Sequence, residues 1–341
     1  MAEVTGIEWC DATHNPWMGC TKVSPACQFC YAERDFDHRY KKVKWGPSGT
    51  RVVTSDANWN KPIRWNRDAV NFVQCVGCGL RWDCKGMFES FCPRCGDPEG
   101  IAARPRVFCA SLADVFEDWQ GPMQNSAGDE LFYKHERRET GNMTPMTMND
   151  ARARLFRLID ATPNLDWLLL TKRPENIRRM WPMVTEAILP DVDPGEWYRP
   201  NVWLGTSVEN QEWAGKRIPV LSECRYMAPV LFLSCEPLVG EIELWDEDGW
   251  AKDRFGKSYE PEIDWVISGG ESGPGARVAD PDWYRSIRDQ CANAGVPFNF
   301  KQWGEWDENR VRVGKKQAGR LLDGREWNGF PVLKGSDHVT G

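Results

Sequence analysis

Three cysteines near the N-terminus have the spacing of a metal-binding loop, because Cys20 is followed by Cys27 and then by Cys30. Three thiolates on one loop can hold three irons of a [4Fe-4S] cluster and leave the fourth iron open to an outside molecule. The same thiols could instead bind zinc, and Cys10 could close the site as a fourth ligand. The pattern therefore predicts a metal or cluster site and leaves the ligand role of Cys10 open.

A second group of cysteines has the spacing of a zinc knuckle. Cys75 and Cys78 form one pair, Cys92 and Cys95 form another, and two residues separate the members of each pair. Four protein thiolates around one zinc ion make a structural site, so we expect this group to fold its surroundings rather than to react. An auxiliary iron–sulfur cluster is the alternative, and Cys84 is expected to be a spare thiol.

Composition limits the classes of partner. The chain has 341 residues, a formal net charge of −7 and a pI near 5.4, whereas proteins that coat duplex nucleic acid are usually strongly basic. We find no apolar run that could span a membrane and no secretory signal, so we expect no membrane partner and a cytoplasmic location. Thirteen cysteines in a reducing compartment are more typical of metal ligands than of disulfides.

Short apolar runs, each ending in polar residues, predict the elements that position these groups. Five of these runs begin at residues 166, 201, 230, 263 and 297, so their starts are 35, 29, 33 and 34 residues apart. This spacing is the length of a strand–helix unit. They lack clean alternation, as expected of parallel strands covered on both faces. The runs are Arg106–Ser111, Asp166–Arg173, Asn201–Val208, Val230–Glu236, Ile263–Glu271 and Pro297–Gln302, with helices expected over Asn149–Ala161, Pro174–Trp181 and Pro281–Ala294 and a first strand near Ile7–Trp9.

Repeated strand–helix units are typical of a (β/α) barrel or a doubly wound sheet, so we predict an α/β fold. Residues 1–42 would supply the first strand, the cysteine loop and the first helix of a barrel. Residues 43–105 would form an insertion that carries the zinc knuckle. Residues 106–304 would complete the barrel, and residues 305–341 would form a hairpin-rich tail.

Polar side chains follow the predicted strands at their carboxyl ends, where a barrel carries its chemistry. Such residues can bind ligands, or they can close the mouth of the barrel with salt bridges. They are Asp114, Lys172, Arg173, Ser207, Glu209, Glu236, Ser268, Glu271, Lys301 and Gln302.

The cysteine loop resembles that of the radical SAM superfamily. The common motif of that superfamily has three and then two residues between its cysteines, whereas the gaps here are six and two. Phe29, directly before Cys30, matches the aromatic residue usually found there. Stretches along nearly the whole chain also resemble an uncharacterised family of phage and prophage proteins. They are Ile7–Trp17, Gly19–Glu33, Leu170–Pro174, Asn201–Asn210, Ser268–Arg277, Phe300–Gly304 and Gly319–Arg325.

The resemblance implies fold and cofactors more strongly than it implies a substrate. It implies a radical-SAM-type partial TIM barrel, a [4Fe-4S] cluster on Cys20, Cys27 and Cys30, bound S-adenosylmethionine (SAM) and an electron donor. Such enzymes cleave SAM to a 5′-deoxyadenosyl radical that abstracts hydrogen from a substrate. A phage-type family favours a nucleotide, nucleic-acid base or modified base as the small-molecule or nucleic-acid substrate, in the cytoplasm of a bacterial host.

The resemblance and the strand ends together suggest roles for individual residues. The candidates for catalysis are Lys172, Glu236 and Glu271. The residues expected to contact SAM are Phe29, Tyr31, Asp114, Arg173, Ser207, Glu209, Glu271 and Lys301. His14, near the cysteine loop, is expected to pack in the core rather than to assist the chemistry.

A second function is open on the residues alone. Zinc at both cysteine groups would make a non-catalytic phage protein that binds nucleic acid or a protein partner. The first group, with Phe29 and without a matching fourth knuckle cysteine, favours the enzyme.

Overall fold

The computed structural model describes residues 5–76, 79–84, 91–134, 143–181, 197–246, 249, 251–253 and 255–331. The chain divides into two compact units, Met1–Val202 and Trp203–Gly341. Among the described residues, every helix is too short or too polar to cross a membrane.

The first unit contains short strands and several helices. The strands, in chain order, are β1 (Ala12–Thr13), β2 (Trp17–Met18), β3 (Val52–Val53), β4 (Phe72–Cys75), β5 (Arg81–Asp83), β6 (Gly100–Ala102), β7 (Arg106–Cys109), β8 (Phe132–Lys134), β9 (Met143–Pro145) and β10 (Asp166–Thr171). The helices whose two ends are described are α1 (Tyr31–Glu33), α2 (Asp56–Trp59), α3 (Lys61–Asp68) and α4 (Met148–Asp160). A π-helical segment, Arg34–Arg39, continues α1, and residues 177–181 are also helical.

Three strands of this unit run parallel in the order β1–β7–β10. Ala12 and Trp167 both lie opposite Val107, one on each side of β7. Parallel strands have their carboxyl ends at the same edge of a sheet. The loops that follow Thr13, Cys109 and Thr171 therefore begin at one edge, and these loops carry the cysteine group and its neighbours.

Helix α4 is stabilised by a capping box at its amino end and by an apolar face that is buried in the core. The Thr147 hydroxyl accepts from the backbone of Asp150, and the Asp150 carboxylate accepts from the Thr147 amide at 2.8 Å, which makes a capping box. Leu155, Phe156 and Ile159 are fully buried at helical spacing. The helix predicted over Asn149–Ala161 is confirmed.

Strands β4, β5 and β6 form an antiparallel sheet in the order β5–β4–β6. The side chain of Arg81 in β5 is buried, and it donates to Gln74 Oε1 at 2.6 Å and to the Arg104 carbonyl at 2.8 Å. One of its nitrogens also lies 3.6 Å from Asp166 Oδ2 at the start of β10. This buried contact joins the antiparallel sheet to the amino end of the parallel strands.

The second unit has parallel strands in the order β11–β12–β15–β16. Its strands are β11 (Val202–Ser207, from Trp203 onward in this unit), β12 (Val230–Cys235), β13 (Ala251–Lys252), β14 (Ser258–Tyr259), β15 (Trp265–Gly269) and β16 (Phe298–Gln302). Its described helices are α5 (Gln211–Ser222), α6 (Pro281–Asn293) and α7 (Lys315–Ala318).

The tail of the chain covers the free edge of β16. The Gly329 amide donates to the Phe298 carbonyl at 2.8 Å, and the Phe300 amide donates to the Trp327 carbonyl at 2.9 Å. These bonds satisfy backbone groups that an edge strand would otherwise expose.

The predicted α/β class with parallel strands is confirmed in both units. Each of the six apolar runs contains a parallel strand whose ends lie within two residues of the prediction. The prediction of a first strand near Ile7–Trp9 is wrong, because these residues are part of a turn closed by the Cys10 amide and the Ile7 carbonyl, and the strand begins at Ala12. The barrel type and the segment boundaries stay predictions.

Candidate functional site

The cysteine loop leaves β2 through a turn that requires glycine. Gly19 has a φ of +109°, and a Cβ there would collide with the Thr50 carbonyl oxygen. Only glycine adopts this conformation without strain, so the residue before Cys20 is dictated by the backbone. The turn places Cys20 beside the loops that follow β7 and β10.

Arg173, from the loop after β10, contacts the sulfur of Cys20. Its Nη1 lies 3.6 Å from Cys20 Sγ and 2.8 Å from Asp114 Oδ2, while its Nη2 donates to the Thr21 carbonyl at 2.7 Å. Burial raises the pKa of the Cys20 thiol to about 12, and the carboxylates of Glu117 and Asp114 add to that increase while Arg173 opposes it. Without a bound cation Cys20 is therefore a neutral thiol, and its role as a thiolate ligand, in which a cation would replace the thiol proton, stays a prediction.

Two further charged residues, Arg51 and Glu117, form a buried ion pair beside this loop. Arg51 donates to Glu117 through two nitrogens, at 2.7 and 2.8 Å, and both side chains are buried. Arg51 Nη2 also donates to Thr21 Oγ1 at 2.9 Å. Sequence reasoning missed these residues. The proximity of Glu117 to Asp114 was an available signal, whereas nothing in the sequence pointed to Arg51.

Asp114 connects the ends of β7 and β10. Its Oδ1 accepts from Thr171 Oγ1 at 2.7 Å, and its Oδ2 accepts from the Lys172 amide at 3.1 Å. Three of the residues predicted from the strand ends, Asp114, Lys172 and Arg173, therefore lie together at the cysteine loop.

Cys27 and Cys30 lie at the ends of two short helical segments. Cys27 ends a 3-10 turn, and Cys30 is the N-cap of α1. Burial raises the pKa of the Cys30 thiol, whereas hydrogen bonds from the Glu33 and Ala32 amides and the charge of Lys172 favour its thiolate. These amides and the lysine would stabilise a ligand thiolate at Cys30.

The two aromatic residues of the loop are partly exposed. Tyr31 donates its hydroxyl hydrogen to the Ser111 carbonyl at 2.8 Å, which ties α1 to the loop after β7. Phe29 and Tyr31 are 38% and 47% exposed, so their rings are available to a ligand.

The second cysteine group converges on one point. The sulfurs of Cys75, Cys92 and Cys95 all lie within 4.8 Å of one another, and those of Cys75 and Cys95 are 3.6 Å apart. Thiolates that share one zinc at about 2.3 Å have similar separations. These three residues could therefore hold a metal ion, and Cys78 lies outside the described residues.

Glycine turns form this second site. The Gly79 amide donates to the Cys75 carbonyl at 3.0 Å, and the Gly96 amide donates to the Cys92 carbonyl at 2.9 Å; both glycines have positive φ. Cys84 donates its thiol hydrogen to the Asn71 carbonyl at 2.9 Å, as expected of a spare thiol.

Two of the predicted residues of the second unit, Glu209 and Glu271, form ion pairs. Arg217 Nη1 lies 2.9 Å from Glu209 Oε2 and donates to the Ser207 carbonyl at 2.8 Å. Arg277 pairs with Glu271 through two nitrogens, at 2.7 and 2.8 Å. Both carboxylates thus have salt bridges, one of the two roles considered for residues at strand ends, and their contacts to SAM stay predictions.

Glu236 and Lys301 form a third ion pair in this unit. Lys301 Nζ lies 3.0 Å from Glu236 Oε1. The structure therefore brings together one catalytic candidate and one candidate for cofactor binding.

His14 belongs to the core of the first unit. Its ring lies edge-on to Trp59 and Trp167, with centroids 5.9 and 5.6 Å away. Burial, with the nearby charge of Lys61, lowers its pKa to about 3, so the ring is neutral at physiological pH. These contacts support packing rather than assistance to the cysteine loop.

One family model covers most of the chain, over residues 4–132 and 143–331, and its description is "Protein of unknown function (DUF5131)". No curated protein and no solved structure matched the chain. The prediction of an uncharacterised family is confirmed, whereas phage origin and a radical SAM relationship stay predictions. Because the model spans nearly the whole sequence, the chain belongs to the DUF5131 family.

Proposed function

We propose that the chain is a radical SAM-like enzyme whose cysteine loop holds a [4Fe-4S] cluster through Cys20, Cys27 and Cys30. One observation carries the proposal: loops from the carboxyl ends of β7 and β10 meet this cysteine loop through Asp114 and Arg173. The carboxyl ends of parallel strands are where α/β folds place their chemistry.

The protein residues would hold and orient the reactive groups. Arg173 would keep Cys20 in position and offset part of the negative charge of the thiolates. Phe29 and Tyr31 would offer aromatic surface to SAM. With one electron from an outside donor, the bound cluster would support reductive cleavage of SAM to methionine and a 5′-deoxyadenosyl radical, and this radical would abstract hydrogen from a nucleotide, a nucleic-acid base or a modified base.

Metal content of the full-length protein tests the proposal. After anaerobic purification we expect about four irons per chain and about one zinc. We also expect the electron paramagnetic resonance spectrum of dithionite-reduced protein to change when SAM is added. Cys27→Ala should lose the iron and the formation of 5′-deoxyadenosine while it keeps the zinc. Cys224→Ala, a buried cysteine of the second unit, should change neither.

The same measurements address the alternative of a non-catalytic zinc protein that binds nucleic acid or a protein partner. Zinc at both cysteine groups, with no iron after reconstitution, would contradict the enzyme. The convergence of Cys75, Cys92 and Cys95 agrees with a structural zinc under either function.

A further inference from the structure

The guanidinium of Arg173 has a fixed orientation beside the cysteine loop. Its Nη1 donates to Cys20 Sγ at 3.6 Å and to Asp114 Oδ2 at 2.8 Å. Its Nη2 donates to the Thr21 carbonyl at 2.7 Å and to Glu117 Oε1 at 3.4 Å. Each terminal nitrogen of an arginine carries two hydrogens, so these four contacts engage all of them. The N–H group that faces the sulfur is therefore held in place before any metal binds.

The charges around this guanidinium are shielded from water. The side chains of Arg173 and Asp114 are 8% and 6% exposed, and those of Arg51 and Glu117 are 0% and 3% exposed. The interaction between two charges strengthens as the effective dielectric constant falls, and salt screens buried charges much less than exposed ones. Each of these side chains therefore acts more strongly on a charge at Cys20 than a surface residue would.

The cation contacts the sulfur, and an anion contacts the cation. Arg173 donates to Cys20 directly, whereas Asp114 accepts from Arg173. The reduction potential of an iron–sulfur cluster depends on the charge around it and on hydrogen bonds to its sulfurs. Reduction adds a negative charge, so a cation at a ligand sulfur stabilises the reduced form and raises the potential. A nearby carboxylate has the opposite effect.

We propose that Arg173 and Asp114 set the reduction potential of the cluster with opposite signs, Arg173 raising it through its N–H···S contact with Cys20 and Asp114 lowering it. The inference rests on the proposed function, because it requires a cluster on Cys20. Both side chains are positioning residues, since they act on the cluster through its ligand. The loops after β7 and β10 would thus determine how readily the cluster accepts its electron.

Reductive titration of the full-length protein tests the two signs. The cluster is reconstituted anaerobically, poised at a series of potentials, and followed by the electron paramagnetic resonance signal of its reduced form. At a fixed potential, Arg173→Met should lower the ratio of reduced to oxidised cluster at least about tenfold, which is a shift of about 59 mV for one electron. Asp114→Asn should raise the same ratio, because it removes the anion and leaves Arg173 in place.

Three controls separate charge from support of the fold. Arg173→Lys keeps the cation and should shift the potential less than Arg173→Met does. The double variant Arg173→Met/Asp114→Asn removes one charge of each sign and should return toward the potential of the unaltered protein. Arg179→Met removes an exposed arginine that pairs with Asp118, and it should leave the potential unchanged. A purely structural role gives no reason for shifts of opposite sign.

The proposal is overturned if Arg173→Met and Asp114→Asn retain their iron and shift the potential in the same direction or not at all. If Arg173→Met loses its iron, the direction of the shift in Asp114→Asn decides. Loss of iron from both variants would make the pair a structural support and would also overturn the proposal.

These outcomes differ from a failure of the proposed function. Unaltered protein that takes up no iron would overturn the proposed function and this inference together. A cluster whose spectrum does not change with SAM would contradict the radical SAM-like enzyme, and the shifts in Arg173→Met and Asp114→Asn would still decide whether these two residues set its potential.

Discussion

The two cysteine groups of the first unit share their ligand chemistry and differ in their surroundings. The charged pairs around Cys20 come from separate segments of the chain. Arg173 and Asp114 lie in loops that follow strands, and Glu117 pairs with Arg51. The sulfurs of Cys75, Cys92 and Cys95 converge instead through glycine turns and local backbone hydrogen bonds, at the end of β4 and in the connection between β5 and β6.

This difference indicates different uses for the same side chain. Converging thiols can be satisfied by one ion, which then stabilises the local fold. A thiol among buried charges at the ends of parallel strands is in an environment that tunes a bound metal group, because nearby charges and hydrogen bonds set its electronic properties.

The largest expected effect comes from replacing one predicted ligand cysteine of each group with serine. Cys92→Ser should release zinc and unfold β4–β6, since structural zinc contributes about 10–16 kcal/mol in small zinc domains. Cys27→Ser should release iron and leave zinc in place. Elemental analysis and amide hydrogen exchange of both variants check this. Loss of zinc from Cys27→Ser would mean that the two groups are not independent.

Removing the charge next to Cys20 should have the next largest effect. Arg173→Met leaves Asp114 without its buried cation, which should lower the free energy of unfolding by about 3–5 kcal/mol. Arg179→Met is the matched control, because Arg179 pairs with Asp118 at the surface, and it should cost less than about 1 kcal/mol. Denaturant unfolding of iron-free protein measures both values, and equal losses would contradict a special role for the buried charge.

The free energy of unfolding should depend on pH through the protonation of His14. Its folded pKa of about 3 lies below the ordinary 6.5, so the unfolded chain binds the proton more readily in acid. The contribution of this residue is complete above pH 6.5 and falls as the pH drops toward 3, reaching a loss of roughly 4 kcal/mol. His14→Phe should remove this part of the acid destabilisation. If the free energy of unfolding fell equally in the two proteins between pH 6.5 and 3, the ring of His14 would have to be protonated or solvated in the folded state, and the prediction would be wrong.

The smallest expected effect concerns Cys84. Cys84→Ala removes one hydrogen bond to Asn71 and should lower the free energy of unfolding by about 1 kcal/mol. The zinc content should stay the same as in the unaltered protein. A variant that lost zinc would make Cys84 a ligand and change the assignment of the second group.

The sequence by itself determined the parallel strands and the second metal-binding pattern. The run Val230–Glu236 begins with four consecutive apolar residues and lacks alternation, and this local property predicts a buried parallel strand wherever the run lies in the fold. The cysteine pairs at residues 75–78 and 92–95 are also local, because each knuckle needs only a short turn. The predicted first strand is wrong because the apolar residues Ile7 and Trp9 belong to a turn and pack without forming a strand.

Only the tertiary structure decided which charges meet. Arg173 and Cys20 are 153 residues apart, and their contact depends on the order and register of β1, β7 and β10. The pair of Glu236 and Lys301 needs Gly269 on the strand between them, because a Cβ there would lie 2.8 Å from Glu236 Oε1. Among the described residues, no neighbour of the buried side-chain amide of Asn299 offers it a hydrogen bond. Such contacts join residues distant in sequence, so no local pattern encodes them, and they exist only after the strands have assembled.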